Sequence, residues 1–573
     1  MVNFRLQRPT LLLAGVLAAA LSCSAARAAP AAPPDVVFLD GKIVTLDSKG
    51  TIASAAAVKN GRFVAVGSDD TIRRLVGPRT RVVKLKGKTV IPGIIDAHCH
   101  PMPTMLFTTS VDARAPGVPS VAKAMDNLVA RVGTTPRGDW IFVIAASASQ
   151  TRFAEKRLPT KTELDLAAPD NPVWFWNGTH GEVLNSSAMA KLGVSKAHPS
   201  LPRGGRVILD ASGEPTGQMF EAEANAPILD PPPVIEGWIK KDIPELWNSH
   251  GVTTVVGMFE LPEVAVLRKV AASGFRPNVR YVSFAFAEPN GVGMPENLDE
   301  IRIPANAPAD FYRTGGIKLW IDGEVDAGSG FCAHPYADPA GVPDGGRGLQ
   351  VTTQAQADAF ADRGSAAGLA VGMHATCDAA YDVALQAFQK AAAKGRPRTL
   401  QRMEHTGQFM GLSDAQRKIV TDLDLRVIAQ PSWLLFLGKS TYHLLGDARA
   451  STGFRYGTMV KQGLMPAASS DTTGVYLQAV NPFIAMKTAV TRQSDFGVVQ
   501  PEEAISVENA LRMWTIWGAR SLGLEADRGS IEAGKLADMA VLSNDILTIP
   551  PAKIDEIRVE QTVVGGEVVY RIR

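Results

Sequence analysis

Between residues 93 and 471 a short β-branched or apolar run recurs eight times, and each run ends on polar or ionisable residues. The runs read GIIDAHCH, GVTTVVG, VRYVSFAF, GGIKLWIDG, LAVGMHAT, LQRMEHT, LRVIAQPS and LMPAASSD. Most are followed by an Ala-rich amphipathic stretch of helical period, so strand and helix alternate. Eight strands alternating with helices are satisfied by few architectures, and the sequence predicts a (β/α)8 TIM barrel whose functional groups gather at the carboxyl ends of the strands.

Residues 101–250 separate the first run from the second, far more than a βα connection of about 2 to 6 residues plus its helix needs. A large insertion after the first barrel strand is therefore expected, with the inserted subdomain at about 103–245 inside a barrel spanning 93–524. Strand-like segments with turn punctuation occupy both ends of the chain, as in DVVFLDGKIVTLD near the start and VEQTVVGGEVVYRIR at the close. They predict one composite β-sandwich built from residues 35–92 and 525–573.

Residues 1–28 stand apart. Arg5 and Arg8 precede an uncharged run, and Ala26-Arg27-Ala28 offers small residues around a cleavage point, the pattern of a secretory signal peptide. The mature chain is expected to be exported, periplasmic or secreted. Cys23 after Ala20-Leu21-Ser22 gives a rival, lipoprotein reading, with leucine one place too close to the cysteine. Without the first 28 residues the net charge drops from +2 to −1, because they carry Arg5, Arg8 and Arg27 and no acid. No basic stripe supports nucleic-acid binding, and no other apolar stretch is long enough to span a membrane. The expected partner is a small-molecule substrate, with a homodimer left open. Cys99, Cys332 and Cys377 would remain, too few for a disulfide framework, although a bridge between Cys332 and Cys377 is allowed.

The chemistry sits at the ends of the runs. His98 and His100 are one residue apart, so in a strand they face one side while Cys99 faces the other. Alone, His-x-His is a weak metal signal. With Lys318, His374, His405 and Asp471 at later strand ends, four imidazoles, a lysine and a carboxylate converge on one mouth and make a two-metal site. An ammonium has no lone pair for a cation, so Lys318 must first react with carbon dioxide to give a carbamate, N6-carboxylysine, whose oxygens could bridge both metals. The competing reading pairs Lys318 with Asp322 or Glu324 as an ordinary ion pair.

The ordered motifs PGIIDAHCHP, GIKLWIDG, MHATCDAA, RMEHTGQ, ASSDTTG, NPFIAMKTAVTR and GSIEAGKLADMAVL resemble the amidohydrolase superfamily of metal-dependent hydrolases, in its branch similar to N-substituted formamide deformylase. The resemblance covers nearly the whole mature sequence. It implies that His98 and His100 bind the more buried of two divalent cations, expected to be zinc, and His374 and His405 the other, with carboxylated Lys318 as the bridge. It further implies that Asp471 binds metal and shuttles a proton, while the cations acidify a bridging water and polarise the scissile carbonyl. The expected reaction is hydrolysis of an amide, N-formyl or N-acyl carbon–nitrogen bond. One departure stands out: relatives usually continue from the strand-five histidine through Gly-Asp-Arg, whereas Cys377 and Ala379 here flank Asp378.

Several residues carry two readings. His180 could reach over the barrel mouth as a catalytic group that polarises the carbonyl, or be a turn histidine capped by Asn185. Asn185, Trp174, Trp176 and Arg455 are candidate substrate contacts; the tryptophans could equally be core packing, and Arg455 a surface ion pair. Two further functions remain beside amide hydrolysis. A deaminase or cyclic-amide hydrolase of the same superfamily would more often use one metal without a bridging lysine. A non-catalytic exported binding protein would have no need of a proton-shuttling Asp471.

Overall fold

The computed structural model describes residues 32–178, 180–202, 205–227, 231–286, 294–339, 341–395, 400–472 and 476–573. The expected signal peptide and Cys23 lie outside the described residues.

All eight predicted runs form strands of one parallel sheet, joined in sequence order: β1 (Ile94–Cys99), β2 (Val252–Phe259), β3 (Arg280–Phe286), β4 (Tyr312–Trp320), β5 (Ala370–His374), β6 (Gln401–Glu404), β7 (Arg426–Ala429) and β8 (Ala467–Ala468). Strand β8 is only two residues long, yet the ring nearly closes beyond it, where Asp471 N–H donates to His98 carbonyl at 3.0 Å and His100 N–H donates to Thr472 carbonyl at 3.1 Å. Every strand is covered on both sides, which is why the runs read as apolar rather than alternating. The intervening helices carry their own start signals. In the helix Gln354–Ala366, Thr353 and Gln356 form a capping box, each side chain accepting from the other's backbone N–H.

Both chain ends share one six-stranded sheet, in which Met539–Leu542 runs antiparallel to Thr89–Pro92. A four-stranded sheet built around Val36–Leu39 packs against it, with Phe38, Val58 and Phe63 buried against Met539, Val541 and Val563. Burying a side chain such as Phe38 contributes roughly 1.5–3 kcal/mol. This composite sandwich is fastened to the barrel by Arg280 at the start of β3, whose guanidinium grips Asp538 in a two-pronged pair at 2.6 and 2.7 Å, both side chains buried. Gly93 marks the junction: a Cβ there would lie 2.3 Å from Thr253 Oγ1 and 2.8 Å from Asp538 Cβ, so only glycine lets the sandwich meet β1 this closely.

The insertion between β1 and β2 forms a six-stranded mixed sheet, ordered Arg206–Leu209, Pro215–Phe220, Gly181–Leu184, Val173–Asn177, Ile141–Ala145 and Val111–Asp112. It carries two cores, one per face: Trp174 and Trp176 lie on one side and Phe175 on the other, as alternation requires. Cys332 and Cys377 are joined by a disulfide with Cα atoms 5.1 Å apart, tying the segment after β4 to the end of β5. Among the described residues no helix is long and apolar enough to cross a membrane.

Candidate active site

Strand alternation sends Asp96, His98 and His100 to the inner face of β1 and Cys99 outward, where its thiol meets the Val256 carbonyl at 3.5 Å. His98 Nδ1 contacts Glu404 Oε2 at 2.9 Å. A carboxylate at that nitrogen fixes it as the donor and leaves the Nε2 lone pair facing inward. Nε2 lies 3.3 Å from His100 Nε2 and 3.2 Å from Asp471 Oδ1, and His100 Nε2 lies 3.4 Å from the same oxygen. Two imidazole nitrogens and a carboxylate oxygen thus converge within ligand spacing of one centre.

His374 and His405 face the same space, their rings 4.5 Å apart, and His405 also stands 4.7 Å from the His98 ring. His374 Nε2 meets the Gly323 carbonyl at 3.1 Å; His405 stacks on Trp433 with its Nδ1 3.6 Å from Asp471 Oδ2. Both His405 and Asp471 have positive φ, 62° and 43°, an unusual backbone for non-glycine residues that turns each side chain inward where its strand ends. Asp96 steadies the Asp471 turn by accepting from Ser470 N–H at 2.9 Å and from the Ser470 hydroxyl at 2.5 Å.

Lys318 on β4 is fully buried and its Nζ has no hydrogen-bond partner among the described residues. The expected rivals for it are occupied elsewhere: Asp322 accepts from the backbone of Phe331, Thr376 and Cys377, and Glu324 lies against His180. Burial lowers Lys318 to about 8, toward the neutral amine that can react with carbon dioxide. A Cβ at Gly372, on the neighbouring strand, would stand 3.4 Å from Lys318 Cδ and 2.9 Å from Glu404 Oε1, so this glycine keeps the floor of the site open.

The electrostatics suit a cation. Burial pulls His100 down to about 4 and, with neighbouring positive charges, holds His374 and His405 well below the ordinary imidazole range, so these rings are neutral near pH 7, the form in which an imidazole can bind a metal. Burial alone would raise Asp471, but its contacts with His405, His98 and His100 outweigh it and hold the group well below the ordinary carboxylate range. Glu404 behaves likewise: burial would raise it, and the Arg402 guanidinium, with the hydrogen bond from His98 Nδ1, more than reverses that. Lys318 Nζ, His405 Nδ1 and Asp471 Oδ1 are all buried without a hydrogen-bond partner among the described residues. Neutral nitrogens, a retained carboxylate and orphaned donor atoms turned to one centre fit divalent cations.

The site opens into a cavity of about 150 Å³ with aromatic walls that include Trp176, Trp238, Trp320, Phe286 and Tyr476. His180 enters it from the insertion; Nδ1 contacts Glu221 Oε2 at 2.9 Å, Nε2 lies 3.7 Å from Glu324, and the ring is 5.3 Å from His374.

Three expected substrate contacts are corrected by their surroundings. Asn185 is buried in the insertion, where Oδ1 accepts from Val173 and Ala188 N–H and Nδ2 donates to the Ala168 and Asn171 carbonyls. All its polar capacity is spent on backbone, as an N-cap. Trp174 is fully buried and packs on Trp140 and Trp176 without reaching the cavity. Arg455, half exposed, binds Glu503 at 2.9 Å away from the mouth. Glu404, Arg402 and Asp96 were missed at the sequence level, although the period-two alternation that selects His98 also puts Asp96 beside it and sets Arg402 and Glu404 on one face of β6.

The profile described as "Amidohydrolase family" matches residues 81–570. The chain is similar to N-substituted formamide deformylase of Arthrobacter pascens, 28% identical over 559 residues that cover 94% of this chain and 98% of that one. Among solved structures it resembles an uncharacterized metal-dependent hydrolase from Pyrococcus furiosus, with a TM-score of 0.67 and 26% identity over 90% of this chain and all of that one. The fold alone is also shared with an adenosine deaminase of Xanthomonas campestris with bound zinc, TM-score 0.52 at 15% identity, over 94% of this chain and 93% of that one.

Proposed function

Because the chain belongs to the amidohydrolase family of metal-dependent hydrolases, we propose that it hydrolyses the carbon–nitrogen bond of an N-formyl or N-acyl amine. The observation that carries this reading is the convergence of His98 Nε2, His100 Nε2 and Asp471 Oδ1 at mutual distances of 3.2 to 3.4 Å, above an unpartnered, buried Lys318. His98, His100 and Asp471 would hold one divalent cation and His374 and His405 a second, with Lys318 shared between them as its carbamate. Zinc is the expected metal, given imidazole and carboxylate donors. Divalent cations held there supply Lewis acidity toward a carbonyl oxygen and acidify water.

The remaining work falls to the protein's own groups. Asp471, ionised and central, is placed to accept a proton from water and return it to the leaving amine. Glu404 orients His98, and Arg402 keeps Glu404 charged. His180, which lines the cavity, is placed to meet the substrate carbonyl. The aromatic walls exclude water and suit an apolar substituent on the amide. The deformylase named above acts, by its name, on N-substituted formamides, which supports a small amide as substrate. The leader-like charge and cleavage pattern of residues 1–28 supports export, which amino-terminal sequencing of the mature protein would test.

Metal analysis of the purified protein, combined with an amine-release screen over N-formyl and N-acyl compounds, tests the reading. Two divalent cations per chain and release of the free amine are expected. Ammonia release from a heterocycle by a one-metal protein would replace it with deamination, and binding without turnover of any compound would make the chain a binding protein.

A further inference from the structure

A second group of ionisable side chains lies on the Nδ1 edge of His180. Glu182 sits in register with Trp176 on one side and Met219 on the other, so it shares their face of the insertion sheet. His180 and Glu221 lie two residues further along those strands, opposite one another, with Glu221 N–H reaching the His180 carbonyl at 3.5 Å. Alternation aims His180 and Glu182 to the same side; Glu221, just past its strand at φ 53°, brings its carboxylate to His180 Nδ1 at 2.9 Å, and Glu223 follows in the short helix Glu223–Asn225. Ligating atoms of His180, Glu221 and Glu223 all fall within 4.8 Å of one another.

Glu182 supplies an independent sign. It is fully buried, and among the described residues neither of its carboxylate oxygens has a hydrogen-bond partner, nor does either oxygen of Glu223. Glu221 accepts from the Ser329 hydroxyl at 2.7 Å and contacts His180, but no lysine or arginine pairs with any of the three carboxylates among the described residues. Three carboxylates buried together with a single imidazole to offset them are strongly unfavourable, and such groups are usually paired one for one or given a metal. Burial and mutual repulsion push Glu182 well above the carboxylate range and Glu223 up to about 8, so without a cation the cluster must hold protons that a metal ion would displace.

We propose that His180, Glu182, Glu221 and Glu223 form a further divalent-cation site, separate from the centre at the barrel mouth. One imidazole nitrogen and three carboxylates are the donor set of a first-row transition cation, Zn2+ foremost. The site joins the insertion to the barrel, because Ser329 and Glu324, which touch Glu221 and His180, both follow β4. A cation on Nδ1 also leaves Nε2 to carry the ring proton, which turns a donor toward the cavity. The proposal rests on the cluster itself and stands whatever reaction the barrel mouth performs.

The test is zinc counting on chelator-treated, zinc-reloaded and gel-filtered full-length protein. The E182Q/E223Q variant is expected to carry one equivalent fewer than the parent protein. The H98A/H100A variant is expected to lose zinc from the barrel mouth and keep this equivalent, which separates the two sites. An equal count in the parent and E182Q/E223Q overturns the proposal and means that protons neutralise the cluster. Replacing two buried carboxylates can disturb folding, so zinc-edge anomalous diffraction from the unsubstituted protein is the second readout. A peak bonded to His180 Nδ1 is expected, and no peak there in zinc-loaded crystals overturns the site.

Discussion

Glu404 takes His98 Nδ1 at 2.9 Å from the position directly before His405, so the end of β6 both orients one imidazole and supplies another. Substituting Glu404→Gln keeps the shape but removes the charge that fixes the His98 tautomer. Chelator competition on this variant is expected to show metal affinity lower by roughly 10 to 100-fold, with secondary structure unchanged by circular dichroism.

Lys318 gives a pH dependence with a definite sign. Burial lowers its folded-state value from 10.5 to about 8, so in the metal-free protein the unfolded chain binds the extra proton between those values. Stability contributed by this group is therefore absent below about pH 8 and rises toward 10.5. Denaturant titrations of metal-free protein are expected to show this rise and to lose it in Lys318→Met. The same variant should lose activity and bound metal, and a 13C-bicarbonate signal present in the parent should vanish.

Gly372→Ala tests the floor of the site. The new methyl would stand 2.9 Å from Glu404 Oε1, and Arg402 prevents that carboxylate from retreating. We expect a loss of about 1–3 kcal/mol in stability, as for other overpacked positions, together with weaker metal binding. Equal metal affinity in the variant and the parent would mean that the floor is not close-packed.

Asn185→Ala separates scaffold from substrate contact. It removes a helix cap and strands backbone groups at Val173, Ala188, Ala168 and Asn171. The expected cost is roughly 2–4 kcal/mol in denaturant unfolding, with KM unchanged in the folded enzyme. A raised KM at unchanged stability would restore Asn185 to the substrate.

Much of this was open to view in the sequence because it depends on period. The eight apolar runs, the His-x-His pair with Cys99 turned outward, and the polar residues at strand ends all follow from side chains alternating along a strand. The tie between the two chain ends was legible in the same way, as short strands at both termini. Other features were hidden because their partners are far apart in the chain. Arg280 and Asp538 are separated by 258 residues and Glu221 and Ser329 by 108, and no local pattern announces either pair.

The candidates that failed are equally instructive. Asn185 and Trp174 lie in a segment whose composition suggested a substrate wall, yet both are spent on the insertion's own core, while Trp176, two residues on and facing the same way, reaches the cavity. The sequence alone determined the barrel, the order of its strands and which residues stand at their mouths, since these are consequences of chain periodicity. Only the tertiary structure decided which nitrogens point inward, which carboxylates hold them, and that a cluster of three acids gathers behind His180. Those outcomes depend on distances of a few ångströms between residues distant in the chain, set by packing rather than by any repeat.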